Sequence, residues 1–378
     1  MSENPAQSLE DCFSTVPDPR VIGRCDHKLL DILMIAVCAV IAGAESWVEV
    51  ATFGEAKEPW LRKFLELPNG IPSHDTFGRT FSVLDAEAFQ ESFAKWVEAV
   101  FRVTEGQVVA IDGKTMRRSH DKSIGKEAIH IVSAWARSNG ISLGQKKVDE
   151  KSNEITAIPE LLRLLDISGC IVTIDAIGTQ KAIAQSICDE KADYVLSVKG
   201  NQGNLEQDLA DWFAYGDKIG FAKLKHSYHE SVNKGHGRIE IRRCWAISDP
   251  LAFEYIRHYQ AWPELKTIVR VYRERRIGEK IDSETAYYIS SLAADAAQLL
   301  EITRSHWSIE NSLHWVLDLT FREDESRMRL GNSPENMNLL RQLALNILKR
   351  SSAKGSLRQK RYRATLDDTF LLSLLEGV

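Results

Sequence analysis

Two apolar runs in this chain of 378 residues each end in a carboxylate: Gln107-Val-Val-Ala-Ile-Asp112 and Cys170-Ile-Val-Thr-Ile-Asp175. Short unbroken apolar runs read as strands buried on both faces. An ionised aspartate at the mouth of such a strand is costly unless it is paired, hydrogen-bonded or bound to a cation. If the two strands are neighbours, both carboxylates leave the sheet at one edge, where like charges repel until a cation neutralises them. Either aspartate alone also fits a helix cap or a turn. The repetition of the pattern is what points to a site.

The stretch around these runs alternates between strand and helix. Ala128 to Arg137 and Ile141 to Val148 read as a hairpin about the Asn139-Gly140 turn. Pro159 to Leu165 reads as a short helix opening on proline, Gln180 to Glu190 as a second helix, and Asn204 to Tyr215 as a third. Tyr194 to Lys199 is a further buried strand. The order predicts an α/β fold, a mixed sheet with helices against it. From 238 to 291 the chain turns β-rich, over Arg238–Ile247, Thr267–Arg275 and Ala286–Ser291, which reads as an inserted sheet. Helical character resumes at Ala293 and runs through His306 to Leu317.

The N-terminal part is helical in pattern. Leu29 to Ala44 forms one apolar helix. Ser46 can cap a second, with Trp47, Val50 and Phe53 on one face and Gly54 as its end; Ser73 can cap a third holding Phe77, Phe81 and Leu84. This pattern suits a DNA-reading unit or a plain packing domain equally well. The segments are therefore 1–104 (N-terminal helical domain), 105–216 (first part of the core), 217–292 (β-rich insertion), 293–340 (helical completion of the core) and 341–378 (basic C-terminal segment).

The net charge of −5 does not mark a nucleic-acid binder, but phosphate contact needs only a local basic face. Between Arg341 and Arg363 the basic residues run without an acid, a pattern that suits a phosphate track or a solvated face. Arg270, Arg273, Arg275 and Arg276 would give the insertion a basic face. The six cysteines form no CxxC pair and read as reduced residues; Cys25 and His27 lack further ligands at zinc spacing. The start, Met-Ser-Glu-Asn, is polar, and the run Ile32–Ala44 is too short to span a bilayer. A cytoplasmic protein without a membrane partner is expected.

A third carboxylate should complete the acidic site. Glu310, in His306-Trp-Ser-Ile-Glu310-Asn311, lies in a helical segment where Trp307, Leu313 and Leu317 can face the core, with His306 one turn before it and His314 one turn after. Asp318, Glu323 and Asp324 are neighbouring acids able to take the same part. Lys114, Arg117 and Arg118 follow the first aspartate closely, and Lys199, Asn201 and Gln202 leave a core strand at the same expected end of the sheet. Beside a carboxylate centre such residues suit phosphate contact, or in the last three cases ordering of the site.

Several ordered motifs then agree. Ile111-Asp-Gly-Lys-Thr115, Glu150-Lys-Ser-Asn-Glu154, Thr173-Ile-Asp-Ala176, Lys199-Gly-Asn-Gln202, His306-Trp-Ser-Ile-Glu-Asn311 and Leu313-His-Trp315 together resemble the insertion-sequence transposases of the H-repeat-associated protein family, over nearly the whole chain. The resemblance implies a ribonuclease-H-like core and an Asp, Asp, Glu centre on Asp112, Asp175 and Glu310. It implies Mg2+ held by those three acids, with Mn2+ able to substitute. It implies DNA contact by Lys114, Arg117, Arg118, Lys199, Asn201, Gln202, His306 and Asn311. The expected partners are double-stranded DNA, as terminal inverted repeats and target, and a second copy of the chain at synapsis. His306 and Leu317 stand where related enzymes often carry arginine and lysine. The expected activity is cleavage at transposon ends followed by strand transfer. A nuclease that does not transfer strands, a DNA-binding relic, and a metal-free hydrolase with two carboxylates are the rival readings.

Overall fold

A computed structural model describes residues 9–21, 23–101, 105–120, 125, 127–149, 152–235 and 237–376. The polar start, the boundary at 104 and Glu150 of the 150–154 motif lie outside the described residues. Helices α1 (Leu9–Ser14), α2 (Leu29–Ala42), α3 (Trp47–Leu61), α4 (His74–Val83) and α5 (Ala86–Val100) come first. Strand β1 (Val108–Thr115) and the hairpin β2 (His130–Ala136) and β3 (Ile141–Lys147) follow. Then α6 (Glu154–Arg163), β4 (Ile171–Ile174), α7 (Lys181–Asp189), β5 (Asp193–Val198) and α8 (Gly203–Lys218) alternate. Next are β6 (His226–Gly235), β7 (Arg238–Ile247), α9 (Pro250–Tyr255), β8 (Thr267–Ile277) and β9 (Lys280–Ser290). Helix α10 (Ala296–Ile309) runs into a π-turn (Glu310–His314), followed by α11 (Trp315–Thr320), α12 (Ser333–Arg350), α13 (Leu357–Leu366) and α14 (Asp368–Glu376).

Among the described residues the strands form one nine-stranded mixed sheet in the order β3-β2-β1-β4-β5-β9-β8-β7-β6. Strands β1, β4 and β5 are parallel neighbours, while β5 through β6 pair antiparallel. The β3-β2-β1-β4-β5 part is the ribonuclease-H-like arrangement that the sequence resemblance implies. The β-rich insertion is not a separate sheet: β9 pairs directly with β5, so its strands extend the core sheet. Its outer strand β6 carries little apolar surface, as an edge strand should, and for that reason left no signal in the sequence.

The chain divides into two units. The first comprises Met1–Arg102, Gly113–Lys151 and Glu310–Val378. Its centre is α2, nearly all of whose side chains are buried. Helix α3 starts on a capping box between Ser46 and Glu49 and continues past Gly54, the expected stop. A Cβ on Gly54 would lie 2.6 Å from Ile71, so this glycine serves a close approach and not a helix end. Helix α12 is buried along almost its whole length despite its polar composition. Asn336 donates to the carbonyls of Phe81 and Leu84 at 2.9 and 3.1 Å, Asn346 exchanges hydrogen bonds with the Ser142 backbone at 2.8 and 2.9 Å, and Gln342 donates to Gln145 at 2.7 Å. These amides clasp α12 to β3 and to the end of α4, satisfying groups that burial would otherwise leave costly.

The C-terminal basic run is built in part into this unit, while Arg350, Lys354, Arg358 and Arg363 stay exposed. Arg341, Lys360 and Arg361 are buried. Lys360 donates to the carbonyls of Leu348 and Ser351, and Arg361 to those of Thr320 and Val40. Lys349 lies 4.3 Å over the Trp135 ring.

The second unit comprises Val103–Asp112 and Ser152–Ile309. Helix α10 covers one sheet face, packing Leu299, Leu300 and Ile302 with Ile171, Val195, Val269 and Ala246. Helix α6 starts at Glu154 under an Asn153 cap, and Pro159 lies inside it, not at its opening. The expected basic face of the insertion is neutralised in part: Arg270 pairs with Asp217 at 2.6 Å, Arg276 with Glu274 at 2.5 Å and Arg273 with Glu284 at 3.6 Å. No single helix among the described residues is long and apolar enough to cross a membrane.

Gly331 precedes α12 with φ of 50°, and a Cβ there would run into the Ser82 carbonyl. Gly331→Ala should destabilise the fold by on the order of 1–3 kcal/mol. A urea midpoint equal to wild type would show that this turn tolerates a side chain.

Candidate active site

The register of β1 and β4 pairs Ala110 with Thr173 and Ile111 with Ile174. Asp112 and Asp175 are therefore the next residues on neighbouring parallel strands. Thr173 and Val195, paired across β4 and β5, lie on the face that α10 covers, and Asp112 and Asp175 leave that same face by the two-residue alternation of a strand. Strand β1 does not end at its aspartate. It continues through Thr115, and the Met116 N–H then donates to Ile129 at 2.8 Å. Both carboxylates are half-buried.

The loop after β4 holds Asp175 in place. Its Oδ1 accepts from the backbone N–H groups of Ile177 at 3.1 Å and Gly178 at 3.3 Å. Thr179 donates to the Asp175 carbonyl at 3.2 Å and to that of Ser197 at 2.5 Å. Asn201 donates to Ala176 O at 2.5 Å, and Gln202 to Thr179 O at 3.0 Å. In the Lys199-Gly-Asn-Gln202 segment the two amides thus order the Asp175 loop, while Lys199 is exposed. Burial pushes the Asp175 carboxyl above its usual range; the Gly178 and Ile177 hydrogen bonds and the charge of Lys199 oppose that rise, and Glu154 adds to it.

His306 approaches β4 from α10, its Nδ1 lying 3.2 Å from Thr173 Oγ1, two residues before Asp175. Glu310 opens the π-turn and is exposed, and its Oε2 lies 3.3 Å from Nδ1 of His314, which is buried. Burial pushes the His314 imidazole below its ordinary value, and the Glu310 hydrogen bond opposes that. Among the described residues, Asp112, Glu310 and His314 form a group able to hold a metal ion, with one ligand atom of each within 4.8 Å of the others. Asp175 is not in this group. His314, which the sequence places one turn after Glu310, is not among the expected metal ligands; its spacing of four from a helical glutamate is the signal for it.

The remaining expected residues are placed as follows. Lys114 points its ammonium at Asp318 and Glu323, the second at 2.5 Å. Arg117 is exposed, 3.6 Å from Asp324, so each of the three alternative acids faces a cation. Arg118 is exposed and its carbonyl accepts from Arg329 at 3.4 Å. Asn311 is exposed in the π-turn. Trp307 and Trp315 are not core residues; they are 56% and 60% exposed.

A family model described as a transposase DDE domain matches residues 104–347, and a DDE_Tnp_1-associated model matches residues 10–97. The chain belongs to the DDE transposase family. The putative transposase YncI of Escherichia coli O157:H7 is 43% identical over 98% of this chain and 94% of its own. The H repeat-associated putative transposase YhhI of Escherichia coli strain K12 is 40% identical over 98% of both chains. A cryo-EM structure of a piggyBac transposase synaptic complex with hairpin DNA aligns with 98% of this chain and 78% of its own, at TM-score 0.44 and 9% identity. A DDE domain implies use of a divalent metal. The donor set of two carboxylates and an imidazole fits such an ion.

Because burial raises the Asp175 carboxyl, the folded protein holds that proton more tightly than the unfolded chain does. The stability this contributes is fully present below the unfolded pKa and is lost as pH rises through the folded one. In EDTA, Asp175→Asn should therefore melt above wild type at pH 7, with the gap closing as pH falls toward about 4. Equal melting temperatures at pH 7 would contradict the burial cost.

Proposed function

We propose that this chain is a metal-dependent transposase that cleaves DNA at the ends of its own element and joins the freed 3′-hydroxyl to target DNA. The observation that carries the reading is the Asp112, Glu310 and His314 group in a chain of the DDE family. Asp112, Asp175 and Glu310 are the proposed catalytic acids, and they would hold Mg2+, with Mn2+ as substitute. When bound, such ions activate a water or hydroxyl and stabilise the leaving oxygen of a phosphodiester.

The residues of the chain do the positioning. Asp112 and Asp175 follow paired positions of two parallel strands, so their separation is set by the sheet and not by a flexible loop. The bonds from Ile177 and Gly178 leave Asp175 little rotational freedom. Placement and charge neutralisation carry phosphoryl transfer, so no covalent enzyme intermediate is needed. Arg117, Arg118 and Lys199, all exposed, are proposed contacts for DNA phosphates, with His306 and Asn311 nearer the acids. Asn201 and Gln202 act through the Asp175 loop. The proposed DNA partners are the terminal inverted repeats and the target duplex. Pairing of two ends calls for a homodimer at synapsis. The proposed location is the cytoplasm.

The test is cleavage of a labelled duplex bearing the terminal repeat. Wild type should nick at the repeat boundary with Mg2+ and not with EDTA. Asp112→Asn and Glu310→Gln should each lower the rate by a factor on the order of 10²–10³ with folding intact. Cleavage without joined products would mean a nuclease, and binding without cleavage would mean a DNA-binding relic. Unchanged cleavage in Asp112→Asn would remove the acidic-site reading.

A further inference from the structure

Lys114 lies two residues beyond Asp112 on β1, so both side chains leave the same face of that strand. Its ammonium bonds the carboxylates of Asp318, on α11, and Glu323, in the 3-10 turn Glu323–Glu325. The Lys114 side chain is 15% exposed, and that of Glu323 is wholly buried. Behind Glu323 stands the buried guanidinium of Arg341, 4.0 Å from Oε1. Charge therefore alternates along a line: Asp318, Lys114, Glu323, Arg341. In such a line each buried charge depends on its neighbours, and removal of one leaves another stranded. A DNA phosphate would have to displace a carboxylate to reach Lys114. Arg117, although 3.6 Å from Asp324, is exposed, and so is Lys199.

Helix α11 directly follows the π-turn of Glu310 and His314, so a bond to Asp318 restrains the far end of that turn. The bond to Glu323 restrains the next segment. We infer that Lys114 is a positioning residue: it holds the segment that follows Glu310 against β1 and does not contact DNA phosphate. The inference rests on the proposed role of Glu310.

Three measurements on the full chain test it. The first is duplex affinity by fluorescence anisotropy in EDTA across a salt series. Lys114→Met should leave the slope of log K against log salt unchanged; a slope shallower by about one would mean that a phosphate contact was lost and would overturn the inference. The second is binding of Mn2+ alone, followed by electron paramagnetic resonance. Lys114→Met should weaken it about 10-fold or more, as loss of a supporting contact does, and unchanged affinity would overturn the inference. The third is cleavage at saturating duplex in Lys114→Met and in Lys114→Met/Asp318→Asn, which removes the carboxylate left without a cation and keeps Glu323 beside Arg341. The double variant should recover the melting temperature while both stay about 10–100-fold slow. Recovery of rate together with stability would reduce Lys114 to a general fold contact and would also overturn the inference. A wild type that binds duplex and Mn2+ without cleaving would count against the enzymatic reading only, because the first two measurements still decide the part played by Lys114.

Discussion

The parallel pairing of β1 with β4 is the constraint on which the rest of the site depends. With Ile111 opposite Ile174, the two aspartates follow side by side, and a slip of one residue would turn one of them to the other face. Buried apolar neighbours enforce the register, because every residue from Val109 to Ile111 and from Ile171 to Ile174 is buried. The same burial that fixes the strands makes ionised groups at their ends costly. The surrounding polar groups answer that cost locally: backbone N–H donors at Asp175, an imidazole beside Glu310, and acids around Lys114.

How much of this could be seen in the sequence follows from which elements advertise their burial. Strands β1, β4 and β5 are apolar on both faces and were legible as runs of Val, Ile and Leu. Helices α2 and α4 were legible from an apolar stretch and a serine cap. Helix α12 was not, because Asn336, Arg341, Gln342 and Asn346 make its buried surface look like a solvent face. Strand β6 was invisible for the opposite reason, since an edge strand with exposed side chains needs no apolar pattern. At the site, Asp112 and Glu310 stood out through strand ends and a shared motif, whereas His314 had only its spacing from Glu310. Lys114 and the pair Asn201 and Gln202 looked like groups for a ligand. Their partners are in the protein itself, and a partner more than 200 residues away, such as Asp318 for Lys114, leaves no local trace.

Polar side chains also do much of the joining in the first unit. The amides of α12 bond backbone carbonyls and side chains of β3 and α4, and Arg361 reaches carbonyls of α2 and α11. Such bonds add modest net stability but are expensive to leave unmade, so they discriminate one packing from its near alternatives. An apolar α12 could slide or rotate; one whose amides must meet Phe81, Leu84 and Ser142 cannot do so without stranding buried donors.

The π-turn at Glu310 bears on how relatives of this chain are compared. A π-turn holds one residue more than an α-helical turn, so it acts as an insertion whose extra residue is absorbed without a loop. Deleting one residue between Glu310 and His314 would restore α-helical winding and leave the residues beyond it on the same faces, each one number lower. Spacing rules counted from the glutamate along an ordinary helix therefore fail on its C-terminal side. A residue that matches a relative's position by number there would face a different neighbour, and one displaced by a single position would be its true counterpart.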